Sequence, residues 1–543
     1  MPITNISIEN FKGIGKRVDI PIRPITLLFG ANSAGKSTIL QALLYLRHVL
    51  ENREPIKVNA DKLEVSGESI DLGGFSQFVH NQDTSKEVII GVTVTVDDDG
   101  LPKYTKAIKD MEDPDLNGVE TATIRVGVKS LGNKNDEETI YANRYEVDLN
   151  GVWMTKSLVT DSPENYELNL NSEHPLFDGK IMDPEFEEDW KPSGDAEHLW
   201  KATKNPQPTT SVYEHFKQSK NTGEGFSFRN ALCIPDPNIS ADESSKMIFM
   251  GIGDDPFFEE LIEVAQYQIN QILLGPMALV YSELKLIRYI GGIRELPTRS
   301  FNKKLTNDPS RWSNGLAAWD LLQTKEIVSQ EPAVNALNEL GLECKFDLKQ
   351  FYKIPLESTL GTLPFRADKD HDEDFIDECK REINEAIVSQ ELILSSGETN
   401  LQVNDVGLGV SQVLPVVVGA YSGGFSVMSV EQPELHIHPA VQCKLADVLA
   451  HSVLGKRKHK ERSLILETHS EHLMLRLLRR IRERHEGDLQ FNDPEIEPED
   501  ISVLYIEKDQ GEVKITHLPV TEDGDFEKKW PKGFFEERTE ELF

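Results

Sequence analysis

Positive charge is in short supply in this sequence. Its 58 lysines and arginines face 92 aspartates and glutamates over 543 residues, a formal net charge of −34. A chain that held nucleic acid over its whole surface would carry the opposite excess, so DNA contact is confined to a local basic patch. Cysteine is scarce as well. Cys233, Cys344, Cys379 and Cys443 lie far apart with no C-x-x-C pair, which argues against a disulfide frame or a cysteine zinc site and fits a reducing cytosol. No run approaches the roughly 18 consecutive apolar residues of a membrane helix. The start, MPITNISIENFKG, has neither the basic opening nor the apolar centre of a signal peptide and is expected to form the first strand. Repeats of 20–50 residues and sustained heptads are also missing, which excludes a solenoid and a long coiled-coil arm. The expectation is a cytoplasmic protein of several domains without a membrane segment.

What is present is concentrated in GANSAGKST, Gly30 to Thr38, directly after the apolar run Ile25 to Phe29. It fits G-x-x-x-x-G-K-[ST], with Gly30, Gly35, Lys36 and Ser37 in the fixed places, and a helical pattern from Ile39 to Leu46 follows. A triphosphate needs a loop that turns its backbone N–H groups inward and a helix N-terminus aimed at the anion. Asn32, Ser33, Ala34, Gly35, Lys36, Ser37 and Thr38 are therefore the expected cradle, Lys36 reaching the β- and γ-phosphates and Ser37 the Mg²⁺ ion. A glycine turn with an accidental GKS is the plainer alternative, and the strand and helix in register argue against it.

The rest of the chain divides by composition. Glu87 to Val96 and Thr123 to Val128 read as strands. From Asp97 to Ser245 the text turns acidic and rich in Asn, Pro and Gly, and it reads as short strands and long loops. Asp97-Asp98-Asp99 is first of all a turn. Helical spacing resumes from Phe257 to Leu284, a strand follows at Leu286 to Ile290, and a second helical stretch spans Gly315 to Leu340. The acidic run at Asp368 to Glu378 reads as a loop or helix start. The expected domains are 1–95 and 401–515 as two lobes of one head, 96–284 as an insertion of short strands then helices, 285–400 as a segment returning to the head, and 516–543 as a tail.

The C-terminal third supplies the remaining motifs. Val427 to Val430 is an apolar run ending in Glu431-Gln432-Pro433-Glu434. Gly407-Leu408-Gly409-Val410-Ser411-Gln412 stands before it, and Leu464-Ile465-Leu466-Glu467 leads into Thr468-His469-Ser470 after it. That order resembles the ABC-type heads of the SMC superfamily. More narrowly, EQPELHIHP and THS resemble the ATPases related to the overcoming-lysogenization-defect proteins. Residues Tyr289 to Pro297 and the Trp530-Pro531-Lys532-Gly533-Phe534-Phe535 tail resemble one subgroup of these, which carries a tail domain of unknown function. The resemblance spans roughly residues 1–95 and 285–543. It implies an α/β fold: an ABC-type P-loop ATPase head with a mixed, mostly parallel sheet and a β-rich, then helical, middle insertion.

The resemblance also assigns roles. Glu431 becomes the metal-side acid beside Ser37. Gly409, Ser411 and Gln412 become the signature that contacts the γ-phosphate on a second head, implying a head-to-tail dimer with ATP and Mg²⁺ between the heads. His469 becomes the switch histidine, and Gln77 or Gln82 the glutamine lid. The expected general base is replaced by the amide Gln432, which positions water but accepts no proton at pH 7. Either hydrolysis is slow or Glu434 supplies the carboxylate. The resemblance implies the sensor or scaffold subunit of a bacterial antiphage defence or DNA-maintenance complex whose effector, such as a nuclease, is a separate protein. No Toprim pattern follows the head; Asp523-Gly524-Asp525 is formally D-x-D but reads as a loop. The alternatives are a self-contained ATP-gated nuclease and a DNA-repair SMC-like ATPase.

Several features have two readings. His436 and His438 are either a metal pair or part of the turn after the acid-tipped strand. Arg294 contacts phosphate or DNA, or pairs with a carboxylate. Lys456 to Lys460 and the series Arg476, Arg479, Arg480, Arg482, Arg484 are DNA patches or solvated surface. Trp530, Phe534 and Phe535 dock on the chain's own core or on a partner.

Overall fold

A computed structural model describes residues 3–31, 34–51, 56–59, 64–65, 70–102, 118–134, 137–159, 166–171, 174–177, 256–297, 310–323, 331–341, 345–362, 373–396, 399–402, 405, 407–455 and 462–531. Asn32, Ser33, Cys233, Cys344, Lys456 to Lys460, Phe534 and Phe535 lie outside the described residues, as does most of the acidic stretch between Asp97 and Ser245.

The centre is a six-stranded sheet in the order Arg288–Ile290, Val427–Glu431, Ser463–Glu467, Ile25–Gly30, Ile501–Asp509, Glu512–His517. Its first five strands run parallel and the last turns back antiparallel. Strands of a parallel sheet are covered on both faces and so read as near-continuous apolar runs, and these strands do. Alternate residues then serve different cores. Ile25, Leu27 and Phe29 face one cluster with Met428, Val430, Leu464, Leu466 and Val503, covered by helices Leu408–Tyr421, Pro439–Leu454 and Glu471–Glu486. Leu28, Val427, Ile465 and Leu504 face the other, under helices Lys36–Glu51 and Pro256–Lys285.

That second cluster is shared with an antiparallel sheet in which Ile3–Glu9 pairs with Val18–Pro21 on one side and Val88–Thr95 on the other. Thr121–Lys134, Glu137–Leu149 and Val152–Val159 extend it. The 14- and 13-residue strands among these are longer than the patches legible in the sequence. One face of that extension carries charge. Arg125 pairs with Asp148 at 2.5 Å, Arg144 with Glu87 at 3.0 Å and Lys156 with Glu146 at 2.8 Å. Such pairs read as loop in a sequence because they interrupt apolar alternation. The expected helical stretch from Gly315 to Leu340 contains two helices, Leu316–Leu322 and Glu331–Glu339. The fold is α/β, with a mostly parallel six-stranded sheet and an antiparallel sheet that share one core.

Candidate functional site

In open α/β sheets, ligands bind beyond the carboxyl ends of the parallel strands. Three neighbouring strands here end in chemistry at that edge: Ile25–Gly30 in the phosphate loop, Ser463–Glu467 in Glu467 and His469, Val427–Glu431 in Glu431 and Gln432.

The phosphate loop is shaped by two glycines. Gly30 has φ +144°, and a Cβ there would lie 2.0 Å from the carbonyl oxygen of Ile506 on the adjoining strand. Gly35 has φ +104° and packs on Val513. Helix Lys36–Glu51 begins at once, so its N-terminal end faces the loop, where an anion is favoured. Lys36 is 3% exposed. Its Nζ donates to Gly30 O at 3.0 Å and Ala31 O at 3.1 Å, and lies 3.3 Å from His469 Nε2. Burial pulls the Lys36 ammonium below its usual range, against the pull of Glu467. His469 is held low by burial and by Lys36, so its neutral ring is the form that meets the ammonium. Ala34 and Thr38 are buried behind the loop.

Ser37 Oγ donates to Glu467 Oε2 at 2.8 Å, and Glu467 Oε1 lies 3.6 Å from Lys36 Nζ. Burial pushes the Glu467 carboxyl up, and the neighbouring Glu431 charge adds to this. Glu431, the expected metal-side acid, accepts from Tyr289 Oη at 2.9 Å. A serine hydroxyl with two flanking carboxylates is the oxygen donor set that hard Mg²⁺ takes, so the residues fit that ion. Lys36 and the N-terminal end of its helix fit the triphosphate.

Sequence reasoning missed Glu467 and Tyr289. The signal for Glu467 was available: a carboxylate at the end of an apolar strand, two residues before His469. Tyr289 carried no such mark.

The remaining expected residues gather around this edge. Gln432 adopts φ +45° and donates its backbone N–H to Glu467 O at 2.7 Å, which locks the two strand ends together. Glu434 Oε1 accepts the backbone N–H of His469 at 2.8 Å; burial pushes its carboxyl up. It holds the backbone of His469 in place. Ser411 is fully buried and donates to Leu408 O at 2.7 Å, and Gln412 Nε2 donates to Arg294 O at 2.9 Å. Neither side chain faces outward. Exposed at that helix start are Gly407 and Leu408, while Gly409 packs against His436 O. Arg294 binds neither an anion nor a carboxylate through these bonds. It donates to the carbonyls of Gln412 at 3.1 Å, Gln432 at 3.3 Å and Glu431.

His438 caps helix Pro439–Leu454 by accepting from Ala440 N at 3.2 Å, and His436 sits exposed in the preceding turn at φ +62°. Gln77 and Gln82 are both exposed, Gln82 at φ +58° in a 3₁₀ turn. Asp523-Gly524-Asp525 is a turn closed by Thr521 N to Asp525 O at 2.8 Å, with Gly524 at φ +70°. In the series Arg476, Arg479, Arg480, Arg482, Arg484, four are paired with acids: Arg476 with Asp447 at 2.7 Å, Arg480 with Asp447 at 2.9 Å, Arg479 with Glu483 at 2.6 Å, and Arg484 with Glu497. Trp530 packs edge-on against Phe29 at 5.5 Å and Phe526 at 5.1 Å, on the chain's own core.

A family model described as an AAA ATPase domain matches residues 1–223 and 299–474. A second, described as a protein of unknown function (DUF3696), matches residues 496–543. No curated protein matches the chain. Solved structures similar to it include an Smc head bound to the C-winged helix domain of ScpA, at 11% identity and TM-score 0.36, covering 96% of this chain and 98% of that one. A Pyrococcus furiosus Smc head domain with an extended coiled coil, bound to the C-terminal domain of ScpA, gives 13% and 0.36 over 96% and 97%. The SMC head domain from Thermotoga maritima gives 9% and 0.34 over 96% and 100%.

Proposed function

This chain belongs to the AAA ATPase-domain family, and we propose that it binds ATP with Mg²⁺ and turns it over slowly, as a switch rather than a motor. The observation that carries this reading is the meeting of Lys36, Ser37, Glu467 and His469 at one sheet edge, next to a position where an amide replaces the usual carboxylate. Lys36 and the loop hold the triphosphate, and the bound Mg²⁺ neutralises charge that develops on the phosphates. His469, kept neutral by burial and Lys36, is placed to hydrogen-bond the terminal phosphate. Gln432 orients a water without taking its proton, which removes about 10²–10⁴-fold in rate. One Glu434 oxygen, Oε1, is taken by the His469 backbone N–H, and Glu434→Gln tests whether the other serves as the base.

A second head would meet this site through the exposed start of helix Leu408–Tyr421, whose backbone N–H groups suit a γ-phosphate, giving a head-to-tail dimer. The Ser411 hydroxyl is turned inward, so the backbone carries the contact. The likeness of EQPELHIHP and THS to lysogenization-defect ATPases supports a cytoplasmic sensor or scaffold subunit in antiphage defence or DNA maintenance, with a separate effector such as a nuclease.

The test is fluorescent-ATP binding, steady-state hydrolysis and plasmid cleavage by the full chain, beside Lys36→Ala and Gln432→Glu. Wild type is expected to bind ATP and leave plasmid intact, Lys36→Ala to lose binding, and Gln432→Glu to hydrolyse faster. Unchanged turnover in Gln432→Glu, with turnover abolished in Glu434→Gln, would refute the slow-switch reading. Cleavage that vanishes with Lys36→Ala would make the chain its own effector.

A further inference from the structure

Two carboxylates end neighbouring strands at the site, and Ser37 bonds to one of them. Glu431 and Glu467 are register partners on adjacent parallel strands. The strand of Glu467 lies against Ile25–Gly30, with Glu467 opposite Leu28, whereas the strand of Glu431 is one position further out. Ser37 Oγ gives its proton to Glu467 at 2.8 Å, while Glu431 is occupied by Tyr289 at 2.9 Å.

We propose that Glu467, at the tip of the strand that leads into the switch histidine, is the acid that orients Ser37 toward the Mg²⁺ of bound Mg·ATP, in place of Glu431. This rests on the ATP-binding reading. The chemistry is that of a hydroxyl with one proton and two lone pairs. A proton committed to Glu467 leaves the lone pairs directed at a cation, and a ligand fixed by a neighbouring carboxylate is a better donor. The in-register acids repel each other across one strand spacing, and a divalent cation beside them relieves that repulsion. Glu431, tied to Tyr289, supplies the second negative charge from further away.

The experiment is a MgCl₂ titration of the full chain with a fluorescent ATP analogue bound, compared with the same analogue in EDTA. Glu467→Gln is expected to weaken Mg²⁺ affinity by about 10- to 100-fold, with a far smaller change in nucleotide affinity in EDTA. Glu431→Gln is expected to lose less. Adding Ser37→Ala to Glu467→Gln should cost little more than Ser37→Ala alone, because both remove one contact. Full additivity, or a greater loss in Glu431→Gln than in Glu467→Gln, would overturn the assignment while leaving ATP binding intact. Failure of wild type to bind the analogue, or equal binding by Lys36→Ala, would overturn the ATP reading and this inference with it. Should Glu467→Gln melt early, Glu467→Asp keeps the charge on a shorter arm and is expected to show an intermediate Mg²⁺ loss; wild-type Mg²⁺ affinity in that variant together with full loss in Glu431→Gln would refute the inference.

Discussion

Replacing Arg294 with methionine tests how the signature helix is fixed to the acid-tipped strand. Arg294 is 3% exposed and turns its two terminal nitrogens to three main-chain carbonyls, those of Gln412, Glu431 and Gln432. Bonds from a charged donor are worth about 1.5–3 kcal/mol each, so their loss removes roughly 5–7 kcal/mol after allowing for one long bond. An opposing term exists. Burial lowers the guanidinium to about 10, against the raising influence of Glu434 and Glu431. A depression of that size is a penalty of about 3 kcal/mol in the wild type, and methionine relieves it. The net cost is about 2–4 kcal/mol. The sign with pH follows: a basic group whose folded value is depressed carries its full penalty below that value and sheds it only as pH rises through about 10. Between pH 6 and 9 the cost is therefore flat. The assay is amide hydrogen exchange, which reads local opening. Protection in helix Leu408–Tyr421 should fall by about 30- to 1000-fold at both pH 6.5 and 8.5 after correction for intrinsic rates. Peptides from Thr121–Lys134, in the antiparallel sheet, should not change. Undiminished protection in the helix, or a loss that differs between the two pH values, would refute the account of Arg294 as a charged staple.

Two further predictions follow from packing and charge. Gly30→Ala places a Cβ on the Ile506 carbonyl in a backbone region that only glycine visits; it should cost about 3 kcal/mol or more and abolish fluorescent-ATP binding, and a variant that binds like wild type would show that the loop is not held as described. Asp447 is pushed up by burial but brought lower by hydrogen bonds from Arg480 and Arg476, so it contributes stability above its unfolded value that is lost as pH falls through its folded one. Asp447→Asn should lose about 2–4 kcal/mol at pH 7, and its melting temperature should fall less steeply below about pH 4 than that of wild type; parallel acid curves would refute this.

The parts of the site that could be read from the sequence are those whose chemistry is local. A phosphate loop is a fixed spacing of glycine, lysine and serine after a strand, and Gly30, Gly35, Lys36 and Ser37 lie as that spacing demands. Four of the six central strands were legible because a sheet covered on both faces demands apolar runs; Ile501–Asp509 and Glu512–His517 went unread. The charged strands of the antiparallel sheet were legible only in patches such as Thr123 to Val128, since Arg125, Arg144 and Glu146 find partners outside their own strands. Five arginines at helical spacing look like a basic stripe in one dimension; Asp447 and Glu497, from other elements, neutralise three of them in space. Arg294 bonds to carbonyls, which every residue possesses and none advertises.

Glu467 shows where pattern and topology part. Two runs, VMSVE and SLILE, each end in a carboxylate, and nothing in either run says which strand lies beside Ile25–Gly30. The family pattern chooses the first; the sheet order puts the second there. Pleating adds the decisive detail. Side chains two apart on an extended chain share a side. Glu467 and His469 therefore both reach Lys36, at 3.6 and 3.3 Å, while Thr468 between them is fully buried. A carboxylate two residues before His469 thus puts an acid and an imidazole beside the same ammonium.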